Sequence, residues 1–128
     1  MNINFRMNGV DPNSPLLYRI LIGEKFCYIG CANSASRPEK AYRRNLQRML
    51  GGRPYRKSNP DGFRLIHKRM FDAFHQGDPI VIELIRNVKR ENKFSEEKAE
   101  IALRHIEFGD RLLNGNLNIP HNEADQIR

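Results

Sequence analysis

A basic stretch from residue 37 to residue 69 holds the densest group of chemically capable side chains in this sequence. It carries eleven Lys and Arg residues against two acidic ones, so its local charge of +9 exceeds the +7 of the whole 128-residue chain. Tyr42 and Tyr55 lie among these charges. Cationic side chains bind phosphate, so the stretch predicts a surface for nucleic acid, whereas a solvated helix face is the alternative interpretation. The residues predicted to contact nucleic acid are Lys40, Arg43, Arg44, Arg48, Arg53, Arg56, Lys57, Arg64 and Lys68.

Two tyrosines that precede this stretch form a second group. Two apolar runs flank Gly23-Glu24-Lys25 and predict a β-hairpin. If residues 23–25 form the loop, Tyr18 faces Gly30 and Tyr28 faces Ile20, so the two rings lie on the same face as diagonal neighbours. A loop one residue shorter would place the rings on opposite faces. The missing side chain at Gly30 is then expected to leave room above the sheet.

Three helical patterns and one further strand must position the basic stretch. Helices are predicted over 39–50, over 63–76 and from the N-cap Ser95 to Gly109, with a strand over 79–88 between the second and the third. The order is therefore β-β-α-α-β-α, a small α/β domain with one short sheet. The helical side chains predicted to face the core are Tyr42, Leu46, Met49, Leu50, Phe63, Ile66, Met70, Phe74, Ala99, Ala102, Leu103 and Ile106.

Length and composition favour a single domain over residues 1–128. Gly9 and Pro12 predict an irregular N-terminal arm over 1–15, and residues 121–128 read as a loose polar tail. No apolar run approaches the roughly 20 residues that cross a bilayer, so we expect a cytoplasmic protein that does not bind membranes. Cys27 and Cys31 are then expected to be reduced, buried thiols. The sequence does not decide whether the protein forms a homodimer.

The segment from about Leu16 to Asn116 resembles the GIY-YIG endonucleases, a class that includes homing, repair and restriction nucleases. The resemblance depends on the intact Tyr28-Ile29-Gly30, on the spacing of the two tyrosines, and on the order of the elements with their arginine, glutamate and closing LLNG. It implies a short three-stranded antiparallel sheet flanked by helices. It also implies an enzyme, a DNA endonuclease that hydrolyses phosphodiester bonds with Mg²⁺ or another divalent cation such as Mn²⁺.

The resemblance also implies roles for individual residues. Tyr18 and Tyr28 would position or deprotonate the attacking water. Arg37 would stabilise the phosphate as negative charge builds in the transition state, with Arg43 and Arg44 as spare candidates.

The same resemblance implies a metal ligand and a supporting residue. Glu100 on the last helix would hold the metal ion, with Glu97 one turn earlier as its rival. Asn114 would brace the site, and Asn116 is nearly as good a match.

This sequence departs from the family pattern at two positions. Leu16 replaces a usual glycine in the first motif, and Ala41 stands four residues after Arg37, where several relatives carry a histidine. Tyr42 and His67 are the residues that could replace that histidine as the base, although His67 also fits a buried core position.

Two other functions therefore stay open beside the nuclease. The first is a nuclease-like protein that binds DNA without cutting it. The second is an RNA-binding domain of unrelated fold, in which Tyr42 and Tyr55 stack on bases.

Overall fold

The computed structural model describes residues 3–114, in which a four-stranded mixed sheet lies between helices. The strands are β1 (Ile3–Arg6), β2 (Leu16–Ile22), β3 (Phe26–Ala32) and β4 (Ile80–Asn87), in the spatial order β1-β4-β2-β3. β2 pairs antiparallel with both β3 and β4, whereas β1 pairs parallel with β4. The central position of β2 places its tyrosine in the middle of the sheet, and β3 forms one edge.

The predicted three-stranded antiparallel sheet is wrong, because β1 adds a fourth strand in parallel to β4. This strand lies inside the segment predicted as an irregular arm, and its register pairs Ile3 with Ile80 and Arg6 with Glu83. Ile3 and Phe5 alternate with polar residues and pack against the main core. Four residues of alternation are too short a pattern to outweigh the glycine and proline that follow them.

The hairpin between β2 and β3 has the predicted three-residue loop and register. Tyr18 pairs with Gly30, and Ile20 pairs with Tyr28. Positive φ angles at Gly23 and Glu24 let the chain reverse within residues 23–25. The prediction that Tyr18 and Tyr28 share a face is therefore confirmed.

Helices cover both faces of the sheet. A π-helical turn, Arg37–Ala41, leads into α1 (Tyr42–Leu50), and α2 (Leu65–Gln76) follows. α1 and α2 pack their apolar side chains against one face of the sheet to form the main core. The other face carries α3 (Lys93–Phe108) over Cys27 and Ile29. Both cysteines are free and buried, as predicted.

The predicted apolar face of α3 is wrong. Leu103 is 51% exposed and Ile106 is 84% exposed, and Ala99 and Ala102 also face solvent. The side that packs on the sheet carries the buried Glu100 and Ile101 instead.

A buried ion pair explains why hydrophobicity alone gave the wrong face. Arg86 on β4 and Arg104 on α3 both bind the Glu100 carboxylate, so a charged residue fills part of the interface. Two smaller expectations also fail. α3 begins at Lys93, two residues before the predicted cap Ser95, and Phe74 on α2 is 40% exposed.

Two predictions on the organisation of the chain remain, the absence of a membrane-spanning segment and the polar C-terminal tail. No helix among residues 3–114 is long and apolar enough to cross a bilayer. The predicted polar tail over 121–128 and the alternative Asn116 both lie outside the described residues.

Candidate active site at the edge of β3

Three tyrosines meet above the edge of the sheet. Tyr18 comes from β2, Tyr28 from β3, and Tyr42 from the start of α1. The hydroxyl oxygens of Tyr18 and Tyr42 lie 2.5 Å apart, and the ring of Tyr28 packs edge-on against that of Tyr42 at 6.2 Å between centroids. The predicted pair of tyrosines is therefore a cluster of three, and Tyr42 is its centre.

Gly30 makes this arrangement possible. A Cβ atom at position 30 would collide with the phenol of Tyr18, which lies directly over the glycine. The room expected above Gly30 is thus filled by the cross-strand tyrosine itself. Glycine is required here for close approach and not for an unusual backbone conformation.

Arg64, immediately before α2, binds the cluster. One of its terminal nitrogens donates to the Tyr28 hydroxyl at 3.1 Å, and the other donates to the Tyr42 hydroxyl at 3.4 Å. The sequence predicted Arg64 only as one of nine phosphate contacts. Nothing in the local sequence distinguishes it, because its role depends on a fold that brings the start of α2 next to β3.

Burial raises the pKa values of two phenols of this cluster, those of Tyr18 and Tyr28. Burial, followed by the neighbouring tyrosines, raises the pKa of Tyr18 well above its usual value, and burial likewise raises the pKa of Tyr28. A buried phenol in this state donates a hydrogen bond and does not accept a proton from water near neutral pH. We therefore expect these tyrosines to orient other groups and not to act as free bases.

A π-helical turn over Arg37–Ala41 determines which residue shares a face with Arg37. An α-helix brings residues four apart onto one face, whereas a π-helix forms hydrogen bonds from i to i+5 and carries one extra residue per turn. Over Arg37–Ala41 the residue that follows Arg37 on the same face is therefore Tyr42. Arg37 and Tyr42 line one cleft, in which Ala41 lies beside them.

The imidazole ring of His67 makes a hydrogen bond at the start of α2. Its Nδ1 accepts a hydrogen bond from the backbone N–H of Arg64 at 3.1 Å, so the proton of the neutral ring sits on Nε2. Nε2 lies 3.2 Å from the terminal amide of Asn45. Burial, and then the charges of Arg64 and Arg37, lower the pKa of His67 to about 4. The lone pair of Nδ1 is occupied by the backbone N–H of Arg64 and Nε2 carries the proton, so the geometry favours a structural role over that of a base.

The cluster opens into a cleft of about 480 Å³, here called the tyrosine cleft. Its walls include Tyr18, Tyr28, Arg37, Arg64 and Glu97, and Cys31 and Lys93 line it as well. The cleft wraps around the edge strand β3, so that groups from the α1 side and from α3 reach the same space. Five of the side chains weighed from the sequence are thereby brought together, although they span 80 positions of the chain.

Two carboxylates compete for the role of metal ligand, and only one faces the tyrosine cleft. Glu100 is bound by Arg86 and by Arg104, each at 3.1 Å, which occupies both of its oxygens. Glu97 lines the cleft. Burial, followed by the charge of Glu97, raises the pKa of the Cys31 thiol to about 12, which keeps this thiol protonated. The geometry therefore favours Glu97, and Glu100 as a ligand stays a prediction.

Asn114 holds the backbone of β3 beneath the cluster. Its side-chain oxygen accepts from the Ile29 N–H at 2.8 Å, and its side-chain nitrogen donates to the Ile29 carbonyl at 2.6 Å. These two bonds pair the exposed edge of β3 between Tyr28 and Gly30, much as a further strand would. Asn114 therefore holds the β3 backbone beside Tyr28 and Gly30, and its part in an active site stays a prediction.

A second cleft of about 450 Å³, here called the arginine cleft, shares Arg37 and Arg64 with the first. Three of the other predicted nucleic-acid contacts, Arg44, Arg48 and Arg56, line it as well. Lys40, Arg53, Lys57 and Lys68 are exposed, and Arg43 is half-buried, outside both clefts.

A larger cavity of about 780 Å³ lies at the far end of the sheet. Its charged walls combine Arg6 with Glu24 and Asp78, so the two signs offset each other. It brings together none of the predicted site residues. The two clefts beside β3 are therefore the better candidates for function.

Comparisons with known protein families, curated proteins and solved structures found no match. The functional argument therefore depends on the residues of the clefts themselves.

The tyrosine cleft fits one kind of metal site. No group of three or more His, Cys, Asp or Glu side chains able to hold a metal occurs within residues 3–114. Such a group would be needed for tightly held zinc. Mg²⁺ keeps several waters and binds through one or two carboxylates plus substrate phosphate. Glu97 supplies one carboxylate oxygen site, which suits a weakly held hard cation.

Proposed function

We propose that this protein is a metal-dependent endonuclease that hydrolyses phosphodiester bonds in DNA. The observation that carries the proposal is the convergence of Tyr28, Arg37, Arg64 and Glu97 on one cleft, next to a buried tyrosine pair. Guanidinium groups, protonated phenols and a single carboxylate are the groups that phosphoryl transfer needs for charge stabilisation, water orientation and cation binding.

The two arginines would act on the phosphate. Arg37 is exposed at the mouth of the cleft, so its guanidinium is free to form paired hydrogen bonds with phosphate oxygens. Arg64 is held by two phenol oxygens, which fixes its guanidinium before substrate arrives. Preorganised positive charge of this kind stabilises negative charge that develops in a transition state.

Glu97 would hold the divalent cation. When bound, such a cation polarises a phosphate oxygen and acidifies bound water. The phenols of Tyr18 and Tyr28, which line this cleft, would orient the attacking water as hydrogen-bond donors, because burial raises their pKa values. Asn114 would keep the backbone between Tyr28 and Gly30 in place through its two bonds to Ile29.

The basic surface supports nucleic acid as the substrate. The exposed Lys40, Arg53, Lys57 and Lys68 lie on the segments that border the arginine cleft in sequence and would contact backbone phosphates. Of the two tyrosines that the RNA-binding alternative needs, Tyr42 is only 1% exposed and cannot stack on a base, whereas Tyr55 is half-buried and lines the arginine cleft.

A protein that binds DNA without cutting it is the second candidate. Burial raises the pKa of the Tyr18 and Tyr28 phenols, and the Nδ1 lone pair of His67 is occupied by the Arg64 backbone, so neither residue type offers a ready base. Activity would then depend entirely on water acidified by a cation.

One experiment separates these candidates. Supercoiled plasmid is incubated with the protein in Mg²⁺ and in EDTA, and DNA binding is measured in the same EDTA buffer. The nuclease proposal expects nicking in Mg²⁺ alone and binding in both buffers. Binding without nicking in any divalent cation would establish the second candidate, and nicking in EDTA would refute the proposed chemistry.

A further inference from the structure

The arginine cleft concentrates positive charge without a counter-charge of its own. Arg37, Arg44, Arg48, Arg56 and Arg64 line it, and no carboxylate does. None of the five forms an ion pair with a carboxylate in the part of the chain that the structure describes; the ion pairs found there belong to Arg19, Arg86 and Arg104. Mutual repulsion among these guanidinium groups disfavours the empty cleft, so a multivalent anion would be bound strongly.

The positions of these arginines are set by different elements. Arg44 and Arg48 lie one turn apart on α1, so they present their side chains on one face. Arg56 comes from the loop between α1 and α2, and its guanidinium stacks on the Tyr55 ring at 5.0 Å. The stacking restrains Arg56 in the lining of the cleft.

A terminal phosphate matches this charge better than an internal one. A phosphate monoester carries about −1.5 to −2 charge near neutral pH and offers three oxygens, whereas a diester carries about one charge and offers two. Arg44, Arg48 and Arg56 belong to this cleft alone, while Arg37 and Arg64 also face the tyrosine cleft. A single phosphodiester offers two free oxygens as acceptors. Three guanidinium groups dedicated to it would therefore leave most of their N–H donors without an acceptor.

We infer that the arginine cleft binds the terminal phosphate of a nucleic acid strand whose neighbouring phosphodiester lies in the tyrosine cleft. The inference rests on the function proposed above for the tyrosine cleft. The shared Arg37 and Arg64 make the two clefts adjacent, so one strand would contact both. The substrate class is then nicked or broken DNA with phosphorylated ends, and intact duplex is bound less well.

The test measures binding in EDTA, at fixed salt because phosphate contacts weaken with ionic strength. Short single-stranded oligonucleotides of one sequence carry a 5′-phosphate, a 3′-phosphate or hydroxyl ends only. The strand with one kind of phosphorylated end is expected to bind about tenfold more tightly than the hydroxyl-ended strand. The double variant Arg44→Gln/Arg48→Gln should abolish this difference while retaining the wild-type melting temperature.

The matched control is Lys40→Gln/Arg43→Gln, which removes the same charge from neighbouring positions outside the cleft. It should weaken binding of all three strands by a similar factor and preserve the preference for a phosphorylated end. A free mononucleotide is titrated as well, because a free phosphate group has the same chemistry as a strand end. A mononucleotide that binds more tightly than the phosphorylated strand would overturn the inference and indicate a nucleotide site.

Equal affinity for all three strands would also overturn the inference. So would loss of the preference for a phosphorylated end in Lys40→Gln/Arg43→Gln, or the absence of binding to any strand. No cleavage enters these measurements. A failure of nuclease activity in the plasmid assay is therefore distinguishable from a failure of end recognition.

Discussion

The hydroxyl oxygens of Tyr18 and Tyr42 lie 2.5 Å apart in the interior of the protein, where each is the other's hydrogen-bond partner. The contact joins the centre of the sheet to the first residue of α1. It also places the Tyr42 hydroxyl within reach of Arg64, which donates to it at 3.4 Å. One buried oxygen pair thus connects the sheet, α1 and the start of α2.

Replacing Tyr42 by Phe should disturb both the fold and the site. The Tyr18 hydroxyl would be left buried without a partner, at a cost of about 1–3 kcal/mol in the free energy of unfolding. We expect cleavage to fall at least about tenfold, because Arg64 loses one of the two acceptors that fix it. Urea denaturation and plasmid nicking measure the two effects. Tyr55→Phe is the control, and a loss of the same size there would argue against the special role of Tyr42.

Gly30→Ala tests the close contact beneath Tyr18. The added methyl group would collide with the phenol, so we expect a loss of about 1–3 kcal/mol in the free energy of unfolding. Gly51→Ala, where an added Cβ meets its nearest atom at 3.4 Å, serves as the control and should cost less.

A double-mutant cycle identifies the source of that loss. Tyr18→Leu removes the phenol, so Gly30→Ala should be tolerated better in that background, with a coupling of about 0.5–3 kcal/mol. Strictly additive effects of the two substitutions would show that Gly30 is needed for another reason.

The lowered pKa of His67 predicts how the stability of the folded protein depends on pH. Its pKa is lowered to about 4 in the folded protein, whereas in the unfolded chain it returns to about 6.5. Between these values the unfolded state binds a proton that the folded state does not. Stability is therefore full above about pH 6.5 and falls by about 3 kcal/mol as the pH decreases to about 4.

Urea denaturation across this range checks the prediction, with His67→Gln as the test variant. At neutral pH the variant should be less stable than the wild type. Its free energy of unfolding should depend less on pH, because the contribution of His67 is gone. His75→Gln, at an exposed position, should keep the wild-type slope. An unchanged slope in His67→Gln would show that another group titrates.

The hairpin and its tyrosines could be predicted from sequence because local rules determine them. The length of the loop over 23–25 sets the register, and the register places Tyr18 and Tyr28 on one face. Arg37 and Asn114 are indicated only by the family resemblance, and the structure places Arg37 in the tyrosine cleft and Asn114 against the backbone of Ile29.

Other features could not be predicted, because they depend on contacts between distant segments. Strand β1 is too short to be recognised alone and is stabilised by pairing with β4. The inward face of α3 was misassigned, since Arg86 on β4 compensates the buried Glu100. The role of Arg64 and the π-helical turn before Tyr42 likewise have no local signature strong enough to identify them.

The central claim is that Glu97, and not Glu100, provides the carboxylate for a metal-dependent cleavage site. Its most direct test is single-turnover plasmid nicking in Mg²⁺ by the wild type, Glu97→Gln and Glu100→Gln, with unfolding measured in parallel. We predict a loss of at least about a hundredfold in rate for Glu97→Gln with its stability intact. Glu100→Gln should retain the rate but unfold about 1–3 kcal/mol more easily, because the buried carboxylate charge that Arg86 and Arg104 share is removed. A wild-type rate in Glu97→Gln, or a loss confined to Glu100→Gln, would contradict the account.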